Sequence, residues 1–550
     1  MLKYFSTTGT GPLKVHVDKC LKKNQQTAIL SFAKRQPLSI SSFWKEKVKE
    51  SCTFFACTAL KPFKMFSDPG LLHMAQTLID FGSSNPGVRA KDIIPGRNEI
   101  SKNVETLEGK FSQDLNEMLK PLSEENRISF SADMWSDRVT KEKFLDISVH
   151  FVDIDFKMVT KQLKMVHFPE SHTADAITEK LSTELKKISQ SIKFCRIVTD
   201  SGANIKKSVN EKFEGYQCFA HRYNTSLETG FKLACSQDVI LSEIESQVTR
   251  LICYVNKADL NNGLPIRLKS GCQTRPWRHF FEKYNSICES YDALLEKLGD
   301  KQHKLNCINK NLLFSMRDFF KIFKNIFDLI ECVNSITAHL ALPVYYVTLE
   351  KLTNYANQCE ALSDDPCAKY SLDVLSNKIV DQIKEKVFPL IKPIHYAATL
   401  LDPETNYFEF IPDLDEKTKA LKTGTEFIKK LIDKPVTITV EPIILPTDSF
   451  LQTAKRTKIT QRDPIESEID ELLKCDPVPL CSFWKNQSSL RNLKQAALQI
   501  FSLTLSSSGP ERHFSSSGKC ANPERSCLKP YKLCSQVFVG LYLRDSLKSD

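Results

Sequence analysis

No apolar run in the 550 residues is long enough to span a bilayer, and Met1 is not followed by a signal-type apolar core. No Cys-x-x-Cys pair occurs among the 18 cysteines, so they read mostly as buried, reduced thiols in an intracellular chain. Neither G-x-G-x-x-G nor G-x-x-x-x-G-K-[ST] is present, and the one glycine of "VTDSGAN" makes no phosphate cradle, which argues against a nucleotide-binding enzyme. There is no internal repeat, and serine clusters are short. A hydrophobic fraction of 41% and a charged fraction of 26% exclude a disordered chain, a collagen and a disulfide-dense mini-protein. The length implies two to four domains.

Charge is unevenly placed. Residues 1–70 hold twelve Lys and Arg against four acids, a surplus of eight out of the whole chain's +10. A basic end on a near-neutral body suggests a polyanion partner there, or a solvated basic arm. Residues 1–36 are polar and broken by Gly9, Gly11 and Pro12. From about Ser41 the pattern turns helical, with Phe43, Val48, Cys52, Phe55 and Ala56 at three- and four-residue steps. Asp68 and Pro69 signal a helix start, and Gly82 a stop.

Residues 127–200 change period. "RISFSADMWSD" places Ile128, Phe130, Ala132 and Met134 on one strand face and Ser129, Ser131, Asp133 and Trp135 on the other. "KFLDISVHFVD" and "KMVTKQLKMVHF" read as two further strands of an antiparallel meander. A helix with Ile177, Leu181 and Leu185 follows. The apolar "FCRIVTD" reads as a buried strand ending at Asp200, and "ANIKKSVNEKF" as a helix. The order β-β-β-α-β-α implies a mixed sheet, because a crossover strand pairs in parallel. From about 225 to 430 the pattern is almost entirely helical, and 434–480 reads as a linker with three prolines and an acidic section. Helical pattern returns in "LRNLKQAALQIFSLTL" and "LCSQVFVGLYLRDSL".

Three carboxylates stand out. Asp133 lies opposite its strand's apolar stripe, Asp200 ends a buried strand at the carboxyl edge where α/β sites gather, and Glu511 follows Pro510 in a first helical turn. Singly they read as a solvated strand residue, a helix N-cap and a macrodipole partner. Together they could meet at one sheet edge, where their repulsion calls for a cation such as Mg²⁺ or Mn²⁺. Two such ions roughly 3.5–4 Å apart can clamp the attacking and leaving oxygens of a phosphodiester.

"SADMWSD" at 131–137, "IVTDSGANI" at 197–205, "CFAH" at 218–221, "AATLLDP" at 397–403 and "SSGPERHFSSSGKCANPERSCL" at 507–528 occur in that order. This series resembles the hAT superfamily (Hermes/hobo/Activator-like) of DNA transposases. The resemblance implies an α/β, RNase H-like mixed-sheet core interrupted by a large all-α insertion, with an N-terminal helical DNA-binding region. It implies catalytic acids Asp133, Asp200 and Glu511 holding a divalent cation for cut-and-paste chemistry, and a homodimer or higher homo-oligomer in the nucleus. The implied domains are 1–36 a truncated BED-type finger, 41–122 a helical DNA-binding region, 125–224 the first core part, 225–433 the insertion, 434–482 a linker, and 483–550 the last core part with the dimerisation region. Phosphate contact is expected from Lys45, Lys47 and Lys49.

The chain departs from the family pattern at three places. Pro276 separates Arg275 from Trp277, which reads either as the tryptophan that would stack on a flipped base or as a core tryptophan. Pro510 replaces a serine. His16 and Cys20 end a finger that lacks an upstream Cys-x-x-Cys, and two ligands cannot close a zinc site. Residues 1–36 are therefore expected to be disordered without added sequence. Cys218 and His221 match a Cys-x-x-His motif and read as a packed thiol beside a hydrogen-bonded histidine. The alternative to an active enzyme is a domesticated, catalytically inactive protein that binds DNA and dimerises.

Overall fold

The computed structural model describes residues 40–59, 61–137, 140–189, 195–270, 276–432, 463–520 and 528–546. The expected finger remnant with His16 and Cys20, and Arg275, lie outside them. So does the side chain of Trp277, whose backbone belongs to the helix Pro276–Glu289.

The chain divides into two units, up to Gly96 and from Arg97 onward. The first holds the helices Ser42–Thr58 and Pro69–Ser84. Asp68 caps the second, accepting the Gly70 amide at 2.9 Å, and Pro69 opens it. Gly82 does not stop that helix, which runs on to Ser84. The helix Arg97–Glu124 was expected to belong with these two. It belongs instead to the second unit, where Leu115 and Leu119 pack with the strands.

The second unit contains one five-stranded mixed sheet: β1 (Ile128–Ser136), β2 (Lys143–Val152), β3 (Met158–His167), β4 (Arg196–Thr199) and β5 (Glu214–Gln217), in the order β3-β2-β1-β4-β5. The meander is antiparallel throughout. Chain reversal through the helix Ala174–Leu185 brings β4 in parallel beside β1, and the helix Ala203–Lys212 leads to β5, parallel to β4. The apolar stripe of β1 meets Leu145, Ile147 and Val149 of β2 and the helical residues Ile177, Leu181 and Leu185 in one core. The opposite face of β1 is not solvated: Ser129 and Ser131 are fully buried, Ser129 donating to the Ser502 carbonyl, and the helix Ser508–Cys520 that follows packs on the strand.

From Phe219 to Leu431 the described residues form helices and short turns with no strand. Their core is aromatic, with Phe231, Phe280, Tyr284, Phe319, Phe320, Phe323 and Phe327 buried in one cluster. Residues 463–482 fall in the stretch expected to be linker, and residues 483–486 continue from it. They form the helices Pro464–Leu472 and Leu480–Asn486, which bury Ile465, Ile469, Leu472 and Trp484 in that same cluster. Proline at a first helical turn and apolar i, i+4 spacing outweigh the acidic composition there. The cysteines also differ from expectation: four of the fifteen free thiols described are buried.

Candidate catalytic site

Asp133 projects from β1 on the face covered by the helix Ser508–Cys520. The parallel register pairs Ala132 with Thr199, so Asp133 and Asp200 follow level positions on neighbouring strands, spaced about 4.8 Å apart. Glu511 stands in the first turn of the crossing helix. Asp133 keeps a solvent-accessible edge, but the protein packs densely around its carboxyl. Burial holds that carboxyl well above the usual carboxylate range, and the charges of Asp200 and Glu511 push it further in the same direction. The Met134 amide, 2.8 Å from Asp133 Oδ1, offsets part of the effect. Three acids from a first strand, from a strand beyond a crossover helix, and from a helix over 300 residues later thus act on one another.

Asp200 is not the helix N-cap its position suggested. That place is taken by Gly202, whose amide donates to Asp200 Oδ1 at 3.1 Å in a local turn. A Cβ on Gly202 would meet the same carboxylate at 3.2 Å, so glycine allows the turn to tighten onto it.

Cys218 follows β5, its amide donating to the Thr199 carbonyl at 2.8 Å. Its Sγ accepts the amides of His221 at 3.5 Å and Ser507 at 3.4 Å, so the Cys-x-x-His spacing closes a helix cap. Burial, followed by the charge of Glu511, pushes the thiol up to about 11. A buried, protonated thiol of this kind is a packing element, and it fastens β5 to the segment leading into the Glu511 helix.

Among the described residues, no three His, Cys, Asp or Glu side chains are gathered so that they could hold a metal ion. The donor chemistry is nevertheless that of a hard cation: carboxylate oxygens that repel one another at the carboxyl edge of a sheet. Lys45, Lys47 and Lys49 are exposed on the helix Ser42–Thr58 in the other unit. Lys49 bonds Glu46 at 3.0 Å, and Lys47 lies over the rings of Phe43 and Trp44. The "AATLLDP" segment ends a helix and turns inside the helical core, with Asp402 Oδ2 accepting the Thr405 hydroxyl at 2.7 Å.

Sequence reasoning missed a polar network beside the acids. Asp146 of β2 pairs in register with Asp133 and is fully buried. One of its oxygens accepts the Gln162 amide, and the other lies 2.7 Å from His513 Nδ1. Further along, His150 Nδ1 lies 2.9 Å from Thr160 Oγ1, and Ser131 Oγ is 2.8 Å from His150 Nε2. The Thr160 hydroxyl donates to the Val333 carbonyl, so it accepts from His150 Nδ1–H, and Nε2 is left to accept from Ser131. Burial and the nearby His513 push His150 down to about 3, which agrees with that neutral tautomer. The available signal was Asp146, Ser148 and His150 at alternate positions of a strand whose intervening residues are apolar.

Residues 131–218 match the ZBED1 RNase-like domain, and residues 454–542 match the hAT family C-terminal dimerisation region. The chain is similar to the Transposable element Hobo transposase of Drosophila melanogaster, 25% identical over 369 residues. The match covers 66% of this chain and 54% of the relative, so it spans about half of the relative's length. No helix among the described residues is long and apolar enough to cross a membrane. The first family match takes in Asp133 and Asp200 and the second takes in Glu511, in the order of the chain; in both regions the chain is similar to hAT-family transposases.

Proposed function

We propose that the chain cleaves and transfers DNA strands by metal-dependent cut-and-paste chemistry, with Asp133, Asp200 and Glu511 as its catalytic acids. The observation that carries this reading is the convergence of Asp200 and Glu511 on Asp133, whose carboxyl is raised well above the usual range by burial and then by the charges of those two acids. Mg²⁺ or Mn²⁺, when bound, supplies the positive charge that offsets the repulsion and polarises a phosphodiester. Asp133 and Asp200 offer oxygens from adjacent rigid strands, and Glu511 offers one from a separate helix, so the site depends on sheet and helix staying in register. Partial solvent access at all three acids leaves room for a backbone phosphate. DNA is the substrate class, with Lys45, Lys47 and Lys49, Arg275 and Trp277 as contact residues and the nucleus as the place of action. The dimerisation-region match supports a homodimer or higher homo-oligomer. The α-helical stretch from about 225 to 433 acts as an insertion into an RNase H-like core. His16 and Cys20 contribute to zinc binding only if further ligands complete the set.

The test is nicking of a supercoiled plasmid that carries the inverted repeats flanking the gene, with Mn²⁺ or Mg²⁺ as cofactor. Nicking by the wild type that disappears in D133A, D200A and E511A supports catalysis. The second reading, a domesticated DNA-binding and dimerising protein, is favoured by the absence among the described residues of a three-ligand metal group. It wins if the wild type never nicks and the triple alanine variant keeps its cellular function.

A further inference from the structure

The helix carrying Glu511 meets the sheet through small and polar residues. Gly509, His513 and Ser517 recur at i, i+4 and i+8 on one stripe. Gly509 lies so close to β2 that an added Cβ would stand 3.0 Å from Ser148 Oγ and 3.5 Å from His150 Cε1. His513 places Nδ1 2.7 Å from Asp146 Oδ2, and the fully buried Ser517 lies against Met165 of β3. Glu511 stands between Gly509 and His513 in sequence, but about 200° from either around the helix. Rotation of the helix about its axis is therefore what moves the Glu511 carboxylate. With side chains reaching 5–6 Å from the axis, 10° of rotation carries it about 1 Å.

Two sets of bonds oppose that rotation. On the side of the helical body, Ser508 Oγ and Arg512 Nη2 donate to the Glu331 carbonyl at 3.2 and 3.0 Å. Glu331 is the C-cap of the helix Lys310–Ile330. On the sheet side the bond is Asp146 to His513. Both oxygens of Asp146 are engaged, one by Gln162 and one by His513, so this carboxylate is a fixed acceptor on a rigid strand.

We infer that the Asp146–His513 hydrogen bond is a positioning device that sets the rotation of the catalytic helix and so the placement of Glu511 toward Asp133 and Asp200. This rests on the proposed cation site. His513 touches neither DNA nor ion; it acts through Glu511. Outer residues that orient a ligand typically change metal affinity 10- to 100-fold when lost.

The probe is Mn²⁺ alone, titrated into the full chain and read by the electron paramagnetic resonance of the free ion. Asn at 513 can place its amide near the Nδ1 position and keep the donor to Asp146. Gln is of similar size but donates from further out. The wild type and H513N are expected to bind Mn²⁺ within about threefold of each other, with H513Q and H513A 10- to 100-fold weaker. E511Q is the reference for a lost ligand. E511Q weakened alongside an H513Q that binds like wild type overturns the positioning claim alone. So does equal weakening in H513N and H513Q, which would mean that the site requires histidine itself. A wild type that binds no Mn²⁺, or an E511Q that binds it unchanged, overturns the cation site and the positioning claim with it. H513Q keeps nearly the volume of the histidine side chain and H513N keeps a donor near the Nδ1 position, so the comparison of these two polar variants stands even if H513A fails to fold.

Discussion

The face of the sheet beneath the Glu511 helix and the core of the helical body are equally well buried but differently made. The sheet face buries Ser129, Ser131, Asp146, Ser148, His150 and Gln162, and each of them is hydrogen-bonded. The helical core buries phenylalanines edge to face, such as Phe231 on Phe280 and Phe319 on Phe320. Aromatic packing gives stability that tolerates small displacements, because dispersion and area burial are non-directional. A buried hydrogen-bond network gives less net stability per group but fixes direction, because an unmade bond leaves a desolvated polar atom. The chain uses the second kind of interior beside the place where Asp200 and Glu511 act on Asp133.

The largest expected effect separates the two regions by function. D200N turns a carboxylate of the proposed cation site into a neutral amide and removes one of the charges that repel Asp133. Plasmid nicking should fall at least about 10³-fold, equivalent to about 4 kcal/mol of barrier. The urea midpoint measured without added cation should hold or rise, since the repulsion is relieved. A D200N protein that is clearly less stable than wild type would mean that the acid serves the fold.

F320A reverses the pattern. Phe320 is fully buried and its ring lies 5.1 Å from Phe280, 5.2 Å from Tyr284 and 5.9 Å from Phe231. Its loss should cost about 3–5 kcal/mol in urea unfolding, with nicking per folded molecule within about threefold of wild type. A larger loss of rate than of stability would show that the helical core also sets the site.

The contrast between the regions explains what could be read from the chain beforehand. The meander and β4 follow from period-two alternation and a short apolar run, signals that a sheet packed on one apolar face must produce. β5 was invisible: Glu214–Gln217 is four residues long and contains a glycine. It holds its place through ladder bonds to β4 and through Gly215, where a Cβ would meet the Val209 and Asn210 side chains. The acids Asp133, Asp200 and Glu511 were legible because a motif order and a sheet-edge position point to them. Asp146 and His513 were not, because their meaning lies in a contact across 367 residues of chain. The same holds for the helix Pro464–Leu472 in the expected linker, whose acidic surface hides the apolar side that packs on the helical body.

Acidification tests both regions at once. Burial depresses His395 to about 3, with Lys392 adding to the effect, and burial alone depresses His339 to about 4. Both belong to the helical body, and His150 of the sheet is depressed to about 3. Each folded value lies below the unfolded value of about 6.5, so the unfolded chain binds the proton first. The stability tied to the neutral form is complete above about pH 6.5 and is lost as pH falls toward the folded values. At pH 5 each histidine should cost about 2 kcal/mol. His395 Nδ1 accepts the Lys392 amide at 2.9 Å, and an Asn oxygen can take that role. H395N should therefore shrink the difference between urea stabilities at pH 7 and pH 5 by about 2 kcal/mol. An unchanged difference would place the acid sensitivity in other groups.

The smallest expected effect falls where the two regions meet. In G509A the new methyl stands 3.0 Å from Ser148 Oγ and 3.3 Å from Ser148 Cβ. The hydroxyl can swing away, but the Cβ is fixed by strand β2, so the helix must lift by a few tenths of an ångström. Such a shift should cost about 1 kcal/mol in unfolding, at the low end of overpacking. Its effect on rate should be larger than its effect on stability, because a 1 Å misplacement of a catalytic group costs up to about 10²-fold. A tenfold drop in nicking with a change of about 1 kcal/mol in stability would mark this face as an orienting surface. A loss of stability with no loss of rate would reduce it to ordinary packing, no different in kind from the phenylalanines of the helical body.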